Sequence, residues 1–188
     1  MIRLFTAIDL PLDVRERLLG LGGGVPGARW HDIDMLHLTL RFIGEVPEDQ
    51  ASDIAVELSE IDFPAFKITL DGVGCFGEGR KTRILWAGIQ ACEELAALKT
   101  KVDAAINRAG GDVDPHHKYS PHITLARLRH PPADRVVQWL QAGAGFYAGP
   151  IAVDKFHLWS SSNRVYRIEQ SFDLEPVLHP ESLQSETD

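Results

Sequence analysis

Apolar and polar positions alternate along Leu36–Ile43, with Leu38, Leu40 and Phe42 on one side and His37, Thr39 and Arg41 on the other. Successive strand side chains point to opposite faces, so a period of two predicts a strand with one core face and one polar face. Ser120–Leu128 repeats the pattern, setting Ile123 and Leu125 against His122, Thr124 and Ala126. Elsewhere the period lengthens. Leu95, Leu98, Val102 and Ile106 recur at helical spacing between Cys92 and Ala109, with Gly110 and Gly111 as the stop. Pro47 opens a helix through Ile54 and Leu58, and Pro11–Leu21 and Pro132–Gln141 read as two more. Further strands are predicted at Arg3–Leu10, "FKITLDGVG", "RILWAGIQ", "GPIAVDKFHLWSS" and "RVYRIEQSFDL", with Ser162 and Asn163 as the turn before the last.

The two histidine strands are near copies: His37-Leu38-Thr39-Leu40 and His122-Ile123-Thr124-Leu125 stand 85 positions apart (122 minus 37). Two independent chance matches to such a motif would occur on the order of once in ten thousand chains of ordinary composition. The order strand, helix, strand, strand also recurs, and "ITLDGVGCF" sits about as far past the first motif as "IAVDKFHLW" past the second. The pattern reads as an internal duplication, with units at about 36–110 and 120–175 inside one bilobal domain spanning 1–175. The polar stretch 176–188 lacks periodicity and is expected to be mobile.

Composition narrows the function. At 188 residues and 44% hydrophobic content the chain can bury a substantial core. Its net charge of −8 and pI near 5.4 exclude a large nucleic-acid footprint, so any RNA contact is expected to be short and local. No apolar run approaches membrane-spanning length, and the N-terminal stretch reaches Asp9 too soon for a signal peptide, so a cytoplasmic protein with no membrane partner is expected. Cys75 and Cys92 lack metal-ligand spacing and read as free buried thiols. "GLGGGVPG" has glycines but no Lys-Ser/Thr pair, and reads as a turn. His116 and His117 read as a polar loop, since adjacent residues diverge and no carboxylate or cysteine stands at ligand spacing.

A duplicated fold with a rough two-fold axis would bring both motif strands to one cleft. Of two imidazoles titrating near neutrality, one can accept a proton while the other donates one, giving a bell-shaped pH profile centred near neutrality. Thr39 and Thr124, on the histidine faces, can donate hydrogen bonds to an anion held between them. A phosphodiester fits such a site: attack on one side of phosphorus, departure on the other, nonbridging oxygens in between.

On these motifs, together with "RLFTAIDLP", "ARW", "LHLTLRFIGEV", "ILWAGI", "YSPHITLARLR" and "VYRIEQSFDL", the chain resembles the 2H phosphoesterases, and within them the bacterial and archaeal RNA 2′,3′-cyclic phosphodiesterases, also called 2′,5′ RNA ligase-like proteins. The resemblance implies an α+β fold: two antiparallel β-sheets flanked by helices around a central groove that carries both His-x-Thr strands. It implies hydrolysis of 2′,3′-cyclic phosphate ends to 2′-phosphates without metal or other cofactor, His37 protonating the leaving O3′ and His122 activating water. It also places Arg127 on the phosphate and Phe42 against a base. Strict alternation turns Arg127 away from His122, so a strand end or bulge after Thr124 is required, and alternation puts Phe42 equally well into the core. Arg41 could reach the anion or solvent. His31, His130, His157, His179 and Tyr166 receive no role.

The expected partners are RNA ends carrying a 2′,3′-cyclic phosphate, tRNA fragments among them, or small cyclic nucleotides, handled by a monomer. Alternatives are 2′,5′ ligation of tRNA halves, hydrolysis of small cyclic nucleotides or 2′,5′-oligonucleotides, and RNA-end binding without catalysis. Water at high concentration favours hydrolysis over ligation, and both motif histidines, whose loss would mark a non-catalytic module, are present.

Overall fold

In the computed structural model, which describes residues 1–112, 118–162 and 165–176, the chain runs β1 (Ile2–Asp9), α1 (Leu12–Leu19), β2 (Arg29–Trp30), β3 (His37–Val46), α2 (Glu48–Ser59), β4 (Phe66–Phe76), β5 (Ile84–Ile89), α3 (Glu93–Arg108), β6 (His122–Arg127), α4 (Ala133–Gly143), β7 (Tyr147–Val153), β8 (Lys155–Ser162) and β9 (Val165–Asp173). The strands form two antiparallel sheets, one ordered β3-β1-β8-β9 and the other β2-β6-β5-β4-β7. This is the expected α+β architecture. The stretch at His116 and His117 and the tail from 177 onward lie outside the described residues.

The apolar stripes bury as their spacing requires. Leu95, Leu98, Val102 and Ile106 of α3, Ile54 and Leu58 of α2, and Leu38, Leu40, Ile123 and Leu125 of the motif strands join one core, each at 3% exposure or less. Burying such a side chain contributes about 1.5–3 kcal/mol. Helix α3 ends where Gly110 takes φ +73, a left-handed conformation that a side chain would strain.

Two features depart from the pattern. "IAVDKFHLW" lies across two strands: the chain leaves the second sheet at Val153, and after exposed Asp154 enters the first as β8. A run of strand-like residues does not reveal a change of partners. The sheets also cut across the 36–110 and 120–175 division, because the first stretch supplies β3 to one sheet and β4 and β5 to the other. The two cysteines are free but half-buried, so the expectation of buried thiols is corrected to partial exposure. Among the described residues, no helix is long and apolar enough to cross a membrane.

Candidate active site

Each motif strand carries a bulge one residue after its threonine. Along β1 and β3, Ala7 faces Thr39 and Thr6 faces Arg41, which leaves Leu40 as the extra residue. Along β5 and β6, Trp86 faces Thr124 and Leu85 faces Ala126, which leaves Leu125 extra. A bulge resets alternation beyond it. In β6, Leu125 and Ala126 are therefore both buried, and Arg127 lines the same cavity as Thr124. In β3, Phe42 is 55% exposed and faces the groove, so the core-packing alternative for it is corrected.

His37 opens β3 and sits on an aromatic layer. Phe5, from the central strand β1, stacks against its ring at 5.0 Å, Trp159 of β8 at 6.1 Å, and Tyr166 of β9 meets it edge-on at 5.5 Å. Register assembles this layer, because Phe5 pairs with Phe42 on one side and Trp159 on the other. Burial among these rings pushes the His37 pKa down to about 4, and nearby His31 and His122 push the same way while the Met35 carbonyl opposes them. That carbonyl is near without forming an aligned hydrogen bond, and Nδ1 is buried and unpartnered. His157, buried in β8, ties β1 to β9 through Asp9 (3.1 Å) and Ser171 (2.8 Å); its hydrogen bond is the main reason the Asp9 carboxyl lies below its ordinary value.

His122 opens β6 in a less enclosed setting. Its Nδ1–H donates to the Ser120 carbonyl at 2.7 Å, which leaves Nε2 as the acceptor of the neutral ring. Phe76 meets it edge-on at 4.8 Å and Trp86 lies at 6.3 Å. Burial lowers its pKa, partly opposed by the Ser120 carbonyl. Trp86 reaches its position by lying across Gly74, directly opposite on β4, where a Cβ would run into its ring.

The histidines open onto adjoining cavities. His37, Thr39, Thr124 and Arg127 line one of about 180 Å³, and Thr39, Phe42, Phe76 and His122 line one of about 500 Å³. Thr39 and Phe42 belong to both, so the groove is continuous, and all six residues singled out from sequence lie along it. Arg41 also lines the larger cavity, where it pairs with Asp103 of α3 at 3.8 Å and donates to the Asp112 carbonyl at 3.2 Å. Asp103 also binds Lys99.

Sequence reasoning missed several lining groups. Lys99 sits on the apolar stripe of α3 between Leu95 and Val102, an anomaly that was available as a signal; it is 8% exposed and lies over the Tyr119 ring. Tyr119 donates its hydroxyl to the Thr39 carbonyl at 3.0 Å, fastening the segment before β6 to β3. His31, half-buried beside Arg127, has its pKa lowered by burial first and by that guanidinium second. Among the described residues, no three His, Cys, Asp or Glu side chains converge as a metal site would need.

Two His-x-Thr strands from opposite sheets, bordering one groove, define a two-histidine phosphoesterase architecture. The family model of the 2′-5′ RNA ligase superfamily matches residues 26–164. An RNA 2′,3′-cyclic phosphodiesterase of Archaeoglobus fulgidus is 34% identical over 131 residues, 68% of this chain and 73% of that protein. One of Thermotoga maritima is 31% identical over 170 residues, 86% of this chain and 87% of the relative. The crystal structure of Escherichia coli LigT complexed with 3′-AMP superposes with a TM-score of 0.72 at 28% identity, covering 92% of this chain and 98% of LigT. The chain belongs to the 2′-5′ RNA ligase superfamily.

Proposed function

We propose that this protein hydrolyses 2′,3′-cyclic phosphodiester ends of RNA to 2′-phosphomonoesters by two-histidine general acid and base catalysis. The observation that carries the reading is the meeting of His37 and His122, on strands of different sheets, in one groove with Thr39, Thr124 and Arg127. Relatives named as RNA 2′,3′-cyclic phosphodiesterases support the substrate, and the 3′-AMP complex of LigT supports a nucleotide ligand.

The Ser120 carbonyl holds the proton of His122 on Nδ1, so Nε2 takes a proton from water as the water oxygen attacks phosphorus. The P–O3′ bond breaks and His37 gives its proton to O3′. Thr39 and Thr124 donate hydrogen bonds to the nonbridging oxygens, Arg127 balances their charge, and the exposed Phe42 ring carries the terminal base. Burial keeps His37 neutral in the empty groove. The anionic ester favours the imidazolium, so His37 acquires its proton with substrate in place.

The motif pair lies within one chain, which fits a monomer of one bilobal unit, 1–175, and the free thiols fit the cytoplasm. The test is an oligonucleotide with a 2′,3′-cyclic phosphate end, incubated in excess EDTA, with the product isomer identified. Formation of the 2′-phosphate is expected; no turnover, or turnover restored only by metal, would overturn the mechanism.

A further inference from the structure

Beyond Arg127 the groove opens into a cavity of about 470 Å³ that none of these steps uses. It is lined by Arg29, Arg83, Arg127, Arg129 and His130. In a chain of net charge −8, the four arginines among them come from separate segments. The sheet gathers them: Arg29 of β2 lies directly opposite Arg127 of β6, and the carbonyl of Arg83, just before β5, accepts the Leu128 N–H at 2.8 Å. Like charges directly opposite on neighbouring strands destabilise a sheet. Among the described residues, none of the four guanidiniums has an acidic partner. An exposed cluster of one sign at the mouth of an anion-binding groove is the electrostatic signature of a longer anion.

We propose that Arg29, Arg83 and Arg129 form a subsite for the internucleotide phosphates of the RNA strand whose cyclic end occupies the groove. The inference rests on the reading of that groove as a site for RNA ends. A cyclic phosphate closes the 3′ end, so the rest of the strand leaves in the 5′ direction only, and Arg127 links the two cavities along one path. Guanidinium groups bind phosphate oxygens in paired hydrogen bonds. Binding through phosphates carries no base information, so the subsite selects length over sequence. The preferred substrate is therefore an oligoribonucleotide rather than a nucleoside 2′,3′-cyclic monophosphate.

The test compares wild type with R29Q/R83Q/R129Q, and with R29K/R83K/R129K, which keeps the charge. Hydrolysis of a cyclic-phosphate-ended oligoribonucleotide and of the mononucleotide is measured, alongside anisotropy of a 5′-labelled oligoribonucleotide across a salt series. Wild type is expected to prefer the oligonucleotide. In the glutamine variant that preference should vanish, and the slope of log affinity against log salt should flatten by about 2, roughly 0.7 for each phosphate no longer neutralised. The lysine variant should keep most of the slope. An unchanged slope and preference in the glutamine variant, or a wild type without salt-dependent oligonucleotide binding, would overturn the subsite. If oligonucleotide binding depends on the arginines but neither substrate is turned over, the subsite stands and the catalytic reading falls; if the wild type hydrolyses both substrates equally well, the reverse holds.

Discussion

The two His-x-Thr strands share their spacing and the place of their bulge, yet they give their histidines different surroundings. His37 rests on Phe5 and Trp159 with Tyr166 at its edge, and its Nδ1 is buried without an aligned partner. His122 is more open, and the Ser120 carbonyl fixes its tautomer. Both pKa values fall through burial, His37 as far as about 4. The residues five positions on also diverge: the same reset of alternation presents a guanidinium at Arg127 and a phenyl ring at Phe42. A local motif places an imidazole, while the strands paired beside it set its basicity.

The largest expected effect is loss of either imidazole: His37→Ala and His122→Ala should each lower kcat/KM by at least ~10²-fold. The double variant should lose less than the product, because the pair works as a unit. A 3′-thio cyclic phosphorothiolate, whose leaving group needs no proton, separates the roles. It should largely rescue His37→Ala and leave His122→Ala impaired; rescue of the second alone would exchange acid and base.

Thr39→Val and Thr124→Val keep size and branching while deleting a hydroxyl. Each should weaken transition-state binding by about 1–3 kcal/mol, the range for a hydrogen bond to a charged group. Unchanged kcat/KM in both would reduce the threonines to strand formers. On stability, Gly74→Ala should cost about 1–3 kcal/mol by forcing the Trp86 ring off β4, read by denaturant unfolding.

Acidity carries the subtler effect. The productive state holds one proton between two imidazoles. Both values lie below 6.5 in the free protein, so rising pH removes that proton before neutrality. The bell in kcat/KM should therefore lie on the acid side, with one limb at about 4 and the other below 6.5, instead of at the neutral centre expected for two unperturbed histidines. The bell in kcat should sit higher, because the bound anion stabilises both imidazoliums. Trp159→Leu, which opens the layer around His37, should move the limb at about 4 upward.

His37, Thr39, Phe42, His122, Thr124 and Arg127 were legible in sequence because each lies within five positions of a motif histidine. Arg127 shows where legibility ended: strict alternation sends it outward, and only the extra residue Leu125 turns it into the groove. The aromatic layer left no local signal, since Phe5, Trp159 and Tyr166 meet only when β1 pairs with β8 and β8 with β9. The arginine cluster was equally hidden, its members spread from position 29 to 129 in an acidic chain. Long-range pairing decides these features, and periodicity along the chain does not encode it.

The difference between the two histidines is tested most directly by NMR titration of the imidazole resonances in the ligand-free protein, assigned with the alanine variants. His37 should titrate at about 4 as the lower of the two, with His122 itself below 6.5, and both should rise when a 2′-nucleotide fills the groove. A His37 that titrates at or above His122 would contradict the account.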